Sequence, residues 1–161
     1  MKKKQMHNKE KFMMRAIELS KKSINEEGGP FGCVIVKNET IIAEGNNQVT
    51  KNNDPTAHAE IITIRKACNK LKTFDLSGLE LFTSCEPCPM CLSAIYWSHI
   101  DKIYYGNSRL DAAKIGFDDN FIYHELSIGL DKRKVPLKQI NHKEAMITFK
   151  EWEMKTDKII Y

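Results

Sequence analysis

LELFTSCEPCPMCLSAIYWSHIDKIYYGN (79–107) is the stretch that decides the architecture. LELFTS (79–84) reads as a strand, and DKIYYGN (101–107) as another. Between them, 87–98 reads as a helix whose prolines, Pro87 and Pro89, fall in the first turn, where a missing N–H removes no helical hydrogen bond. A strand, a helix and a strand in succession bring the two strands side by side in parallel.

Upstream, Asp54-Pro55-Thr56 combines a capping residue with one whose fixed φ suits a first turn. Ala57, Ile61, Ile64, Ala67 and Leu71 follow as a helical stripe, so a helix is expected over about Thr56 to Lys70. FGCVIVK (31–37) and TIIAEGN (40–46) are β-branched runs joined by Asn38-Glu39, which predicts an antiparallel hairpin, although Asn-Glu is weaker turn chemistry than Asn-Gly. Phe12, Ala16, Leu19 and Ser23 mark an amphipathic helix from about Asn8 to Asn25, ended by Glu27-Gly-Gly-Pro30. Downstream, 108–130 reads as irregular, KVPLKQI (134–140) as a last strand, and KEAMITFKEWEMK (143–155) as a closing helix. The expected fold is α/β: a three-layer α/β/α sandwich around a mixed five-stranded sheet that begins with an antiparallel hairpin.

At 161 residues the chain has the length of one domain, so 1–161 is expected to fold as a single unit. A 42% hydrophobic share is enough for a core and too much for a disordered chain. No run approaches the ~18 apolar residues of a membrane span, and MKKKQMHNKEKF lacks the apolar stretch of a signal peptide, so a cytosolic protein is expected. Five cysteines, with Cys85, Cys88 and Cys91 at intervals of three, fit metal or thiol chemistry better than a secreted disulfide framework. The net charge of +4 is concentrated at the ends: residues 1–27 carry +4 and 131–161 carry +3, while 28–130 carries −3. That distribution argues against a stripe built to follow phosphates, and Lys2 to Lys4 read as a solvated, frayed terminus.

Two motifs carry the chemistry, His58-Ala-Glu60 and Pro87-Cys88-Pro-Met-Cys91, each at the start of an expected helix. Cys88 and Cys91 lie one turn apart, so both sulfurs reach one ion, and thiolate with imidazole is a zinc ligand set. Helix N-termini lower thiol pKa values, which favours the thiolates that bind. H-x-E followed by P-C-x-x-C is the signature of zinc-dependent nucleobase deaminases. Three protein ligands leave a fourth tetrahedral position for water, and Glu60 is the candidate proton carrier. Residues i and i+2 do not share a helix face, so His58 and Glu60 converge only on a point off the helix end. The competing reading is a closed four-ligand knot completed by Cys85, Cys68 or His99, in which Glu60 would have no purpose. Cys85 reads better as a small buried residue at a strand end.

GGPFG (28–32), VIVK (34–37), IIAEGNN (41–47), NDPTAHAE (53–60), IRKAC (64–68), TSCEPCPMC (83–91), AIYW (94–97), DAA (111–113), GFDD (116–119), FIY (121–123) and the terminal Tyr161 together resemble the cytidine deaminase-like superfamily, most closely the small bacterial guanine deaminases. The resemblance runs from about Gly28 to Tyr123 and returns at the C-terminus. It implies one zinc ion per chain on His58, Cys88 and Cys91, with Glu60 as proton shuttle. It also implies that Asn47 and Asp119 hydrogen-bond the purine, that Phe31 and Trp97 shape the pocket, and that the tail (about 141–161, with Tyr161) covers an active site in a domain-swapped homodimer. The expected reaction is hydrolysis of guanine, a small-molecule nucleobase, to xanthine and ammonia. Guanine presents N–H donors at N1 and N2, for which Asp119 is a suitable acceptor. Without the resemblance, Asp118 and Asp119 read as a solvated turn, Asn47 as a turn residue, Phe31 and Trp97 as core, and Tyr161 as a frayed end. Alternatives are adenosine in tRNA, cytosine or another base as substrate, or a zinc-stabilised binding module without catalysis.

Overall fold

The computed structural model describes residues 2–161, with side chains from residue 9 onward. The expectation for Lys2 to Lys4 falls on side chains outside that range. The chain divides into two compact units, Met1–Asp119 and Asn120–Tyr161.

The first unit is built on a four-stranded mixed sheet in the order β2-β1-β3-β4, formed by β1 (Gly32–Lys37), β2 (Thr40–Asn46), β3 (Glu80–Cys85) and β4 (Lys102–Asn107). β1 and β2 form the expected antiparallel hairpin, and both linking residues have positive φ, Asn38 at 47° and Glu39 at 63°. Such a turn matches the right-handed twist of the strands, so the hairpin closes even with glutamate in a position that favours glycine. β1 also pairs antiparallel with β3, while β3 and β4 run parallel, as their helical crossover requires. Helix α1 (Lys2–Asn25) covers one face of the sheet, where Phe12 and Leu19 pack with Val34, Val36 and Phe82. On the other face α3 (Ala59–Leu71) and α4 (Pro89–Trp97) bring Ala59, Ala67 and Ile95 against Cys33, Ile35 and Leu81. The strand alternation thus divides one sheet between two apolar layers, giving the expected three-layer sandwich.

Several boundaries depart from expectation. The structure holds no fifth strand at 134–140: Val135, Leu137 and Ile140 are exposed, and Pro136 interrupts the run where a ladder would need an N–H. The expected helix from Thr56 begins only at Ala59, because Asp54 Oδ1 accepts both the N–H and the hydroxyl of Thr56 and closes a separate turn. The stretch expected to be irregular contains α5 (Arg109–Lys114) and, in the second unit, α6 (Asn120–Ser127). A short α2 (Val49–Asn52) follows the hairpin. The second unit comprises α6, a 3-10 turn at Leu130–Lys132 and α7 (His142–Met154), and α7 buries none of its residues.

Gly32, the first residue of β1, lies directly beneath α1. A Cβ there would stand 2.3 Å from Ala16 O and 2.6 Å from Ser20 N, both main-chain atoms that cannot rotate away. Gly32→Ala is expected to lower unfolding free energy by ~1–3 kcal/mol in a urea titration. An unchanged midpoint would contradict this close approach of helix and strand.

Candidate active site

Each of the two motifs sits at a helix N-terminus. His58 precedes α3 with φ −66° and ψ 157°, and Cys88 precedes α4 with φ −64° and ψ 167°. Both are N-cap residues in extended conformation, and neither side chain caps its own helix. Their donor atoms meet each other instead: His58 Nδ1 lies 3.5 Å from Cys88 Sγ and 3.5 Å from Cys91 Sγ. Pro89 occupies the first turn of α4, and Leu92 N–H donates to Cys88 O at 2.9 Å, so the backbone that aims the first cysteine is held by regular helix hydrogen bonds. The off-the-end placement that H-x-E required is the one observed.

The three donor atoms lie within 4.8 Å of one another, the one such group among the described residues. Tetrahedral zinc with ordinary Zn–S and Zn–N bonds separates sulfur from nitrogen by about 3.6 Å, so the observed spacing fits the ion closely. The electrostatics agree. The Cys88 thiol is held down to about 4, chiefly by a hydrogen bond from Cys91 and then by His58. His58 is raised by its hydrogen bond to Cys88, and Cys91 is pushed up by the neighbouring Cys88, by burial and by Glu60.

Glu60 stands beside this cluster, 5% exposed, in the first turn of α3. Thr83 on β3, fully buried, donates its hydroxyl to Glu60 Oε1 at 2.6 Å. None of the residues that would close a four-ligand knot joins the group. Cys85 is buried at the end of β3 with Sγ 3.6 Å from Ser108 O, and burial, with Glu60 next, lifts its thiol to about 11. His99 faces Asp75 at 3.5 Å, and Cys68 lies near the C-terminal end of α3.

Of the other expected side chains, some are buried and some exposed. Asn47 is buried; its N–H donates to Phe31 O at 3.0 Å and its Oδ1 accepts from Val49 N–H at 3.2 Å. Phe31 meets Phe117 edge to face, with ring centroids 4.9 Å apart. Asp119 is half-buried, and its carboxyl is raised by burial and then by the negative charge of Cys88. Trp97 is not a core residue: it ends α4 and is 64% exposed, about 13 Å along the helix from Cys88 at 1.5 Å per residue. Tyr161 is 69% exposed. Sequence reasoning assigned nothing to Phe117 or Thr83. The trace that Thr83 left was polar: Thr83 and Ser84 are buried hydroxyl residues in the inner strand β3.

The family model for the cytidine and deoxycytidylate deaminase zinc-binding region matches residues 6–107. The chain is 48% identical over 155 residues to the guanine deaminase of Bacillus subtilis (strain 168), covering 96% of this chain and 99% of that one. The X-ray structure of guanine deaminase from Bacillus subtilis superposes with a TM-score of 0.91 at 48% identity, over 94% of this chain and 98% of that one. A tRNA-specific adenosine deaminase of Aquifex aeolicus (strain VF5) is 41% identical over 103 residues, 64% of this chain and 67% of that one. The chain belongs to the cytidine and deoxycytidylate deaminase family, with a site suited to one zinc ion.

Cys88→Ser and Cys91→Ser should each reduce bound zinc well below one per chain by metal analysis of purified protein, whereas Cys85→Ser should retain it. Zinc lost equally from all three would show that the ligand set extends beyond His58, Cys88 and Cys91.

Proposed function

We propose that this chain is a zinc-dependent guanine deaminase that hydrolyses guanine to xanthine and ammonia. The observation that carries the reaction class is a buried carboxylate, Glu60, beside a three-donor metal cluster built on two helix N-termini. The choice of guanine is supported by likeness to a guanine deaminase over 96% of the chain, whereas likeness to the tRNA deaminase covers 64%.

His58 Nδ1, Cys88 Sγ and Cys91 Sγ would hold the ion. Bound there, zinc supplies Lewis acidity, which makes hydroxide accessible near neutral pH. Glu60 takes a proton from the attacking water and delivers it to the ring nitrogen next to C2 of guanine. With a further proton passed to the amino group, C2 loses ammonia and xanthine is left. Asp119 accepts from the N1 and N2 donors of the base, a pattern that adenine and cytosine do not present. Asn47, its Oδ1 already engaged by Val49, offers its Nδ2 donors, and Phe31 packs against the ring with Phe117 behind it.

We infer a domain-swapped homodimer in which the tail at about 141–161 covers an active site. In support, Ile147, Phe149, Trp152, Met154, Ile159 and Ile160 are 44–73% exposed, more apolar surface than one short segment ordinarily leaves uncovered. Trp97 and Tyr161 contribute to the pocket in that assembly. Five unpaired thiols, two of them needed as metal ligands, suit the reducing cytoplasm. No described helix is long and apolar enough to cross a membrane.

Glu60→Gln should keep one zinc per chain while ammonia release from guanine falls ~10²–10⁴-fold, and retained turnover would refute its role. Asp119→Asn should raise KM for guanine ~10-fold or more with zinc unchanged, read from xanthine formation. The likeness to tRNA deaminases supports a second reading, adenosine in tRNA as substrate. A gel shift with bulk tRNA and an inosine assay separate the two, both being negative for a guanine deaminase.

A further inference from the structure

Thr83 lies in β3, an inner strand of the sheet, paired with Cys33 of β1 on one side and Tyr105 of β4 on the other. Its backbone is therefore held from both directions. Glu60, by contrast, projects from the first turn of α3 on a side chain with three rotatable bonds, whose freedom must be given up before its carboxylate holds a position. The Thr83 hydroxyl has one proton to donate, and it goes to Glu60 Oε1 at 2.6 Å in a fully buried setting. Thr63 shows the usual alternative for a buried threonine, turning its hydroxyl to the main-chain oxygen of Ala59 at 2.7 Å. Hydrogen bonds to a charged acceptor are stronger than neutral ones, and more so where water is excluded.

We propose that Thr83 is a positioning residue for the deamination: its hydroxyl pins Oε1 of Glu60, so that the side chain presents Oε2 as the oxygen that carries the proton. The assignment rests on the reading of Glu60 as proton carrier. The sheet, in which Thr83 is paired on both sides, thereby sets where the carboxylate stands. Thr83 itself need touch neither base nor metal.

The test compares Thr83→Val, Thr83→Ala and Thr83→Ser with the parent, measuring kcat, KM for guanine, zinc per chain, melting midpoint and xanthine affinity by calorimetry. Thr83→Val should lower kcat ~10- to 100-fold while KM, zinc content and xanthine affinity stay at the parent values. Thr83→Ser should recover most of the loss, because it restores the donor. Thr83→Ala gives the same comparison if the valine variant does not fold. In the Glu60→Gln background Thr83→Val should lower the residual rate no further. Parent kcat in a folded, zinc-loaded valine or alanine variant would overturn the proposal, as would a loss carried by KM or by zinc content, or one that serine leaves in place. If Glu60→Gln itself retains turnover, the reading of Glu60 fails and this assignment with it. If Glu60→Gln is inactive while Thr83→Val is fully active, the assignment of Thr83 alone fails.

Discussion

The site depends on two helices beginning at one point. α3 and α4 each start beside the sheet with an extended N-cap residue, His58 and Cys88, and those residues supply ligand atoms rather than caps. A helix N-terminus carries roughly +0.5 of an elementary charge, which favours thiolate at Cys88, the residue that precedes α4. The same starting points place Glu60, two residues past His58, inside the converging space instead of on the outer face of its helix. Helix periodicity alone would have separated His58 from Glu60; the non-helical backbone at position 58 removes that obstacle.

Packing holds these starting points in place. α3 and α4 bury one apolar layer against Cys33, Ile35 and Leu81, while α1 covers Val34, Val36 and Phe82 on the opposite face. Because successive residues of β1 and β3 point to alternate faces, the strand that buries Phe82 under α1 turns Thr83 toward Glu60. The core and the buried carboxylate of Glu60 are thus coupled through one strand.

Where the chemistry is local in sequence, it was legible. H-x-E and P-C-x-x-C are short spacings tied to helix starts, and the structure brings His58, Cys88 and Cys91 from those two motifs to one point. The hairpin and the parallel crossover were also readable from β-branched runs and their links. The run 134–140 resembles a strand only in Val135 and Leu137, two positions apart, while Pro136 between them removes an N–H that a ladder needs and all of these apolar side chains are exposed. α5 was missed although it carries a capping box, with Ser108 and Asp111 satisfying each other's backbone N–H groups. Asp54 closes a turn on Thr56 rather than capping α3, and in sequence the two are indistinguishable because an Asx turn and an N-cap use the same residue type. Thr83 was beyond reach for another reason: its partner is 23 positions away and meets it only once helix and sheet have packed. For Trp97 the reading as a core residue fails, because the end of α4 leaves it 64% exposed.

X-ray absorption at the zinc edge of the purified protein tests the central claim most directly. The account predicts one zinc per chain with two sulfur scatterers at ~2.3 Å and the remaining scatterers nitrogen or oxygen. Three or more sulfurs around the ion, or protein that folds and releases ammonia from guanine without metal, would contradict it.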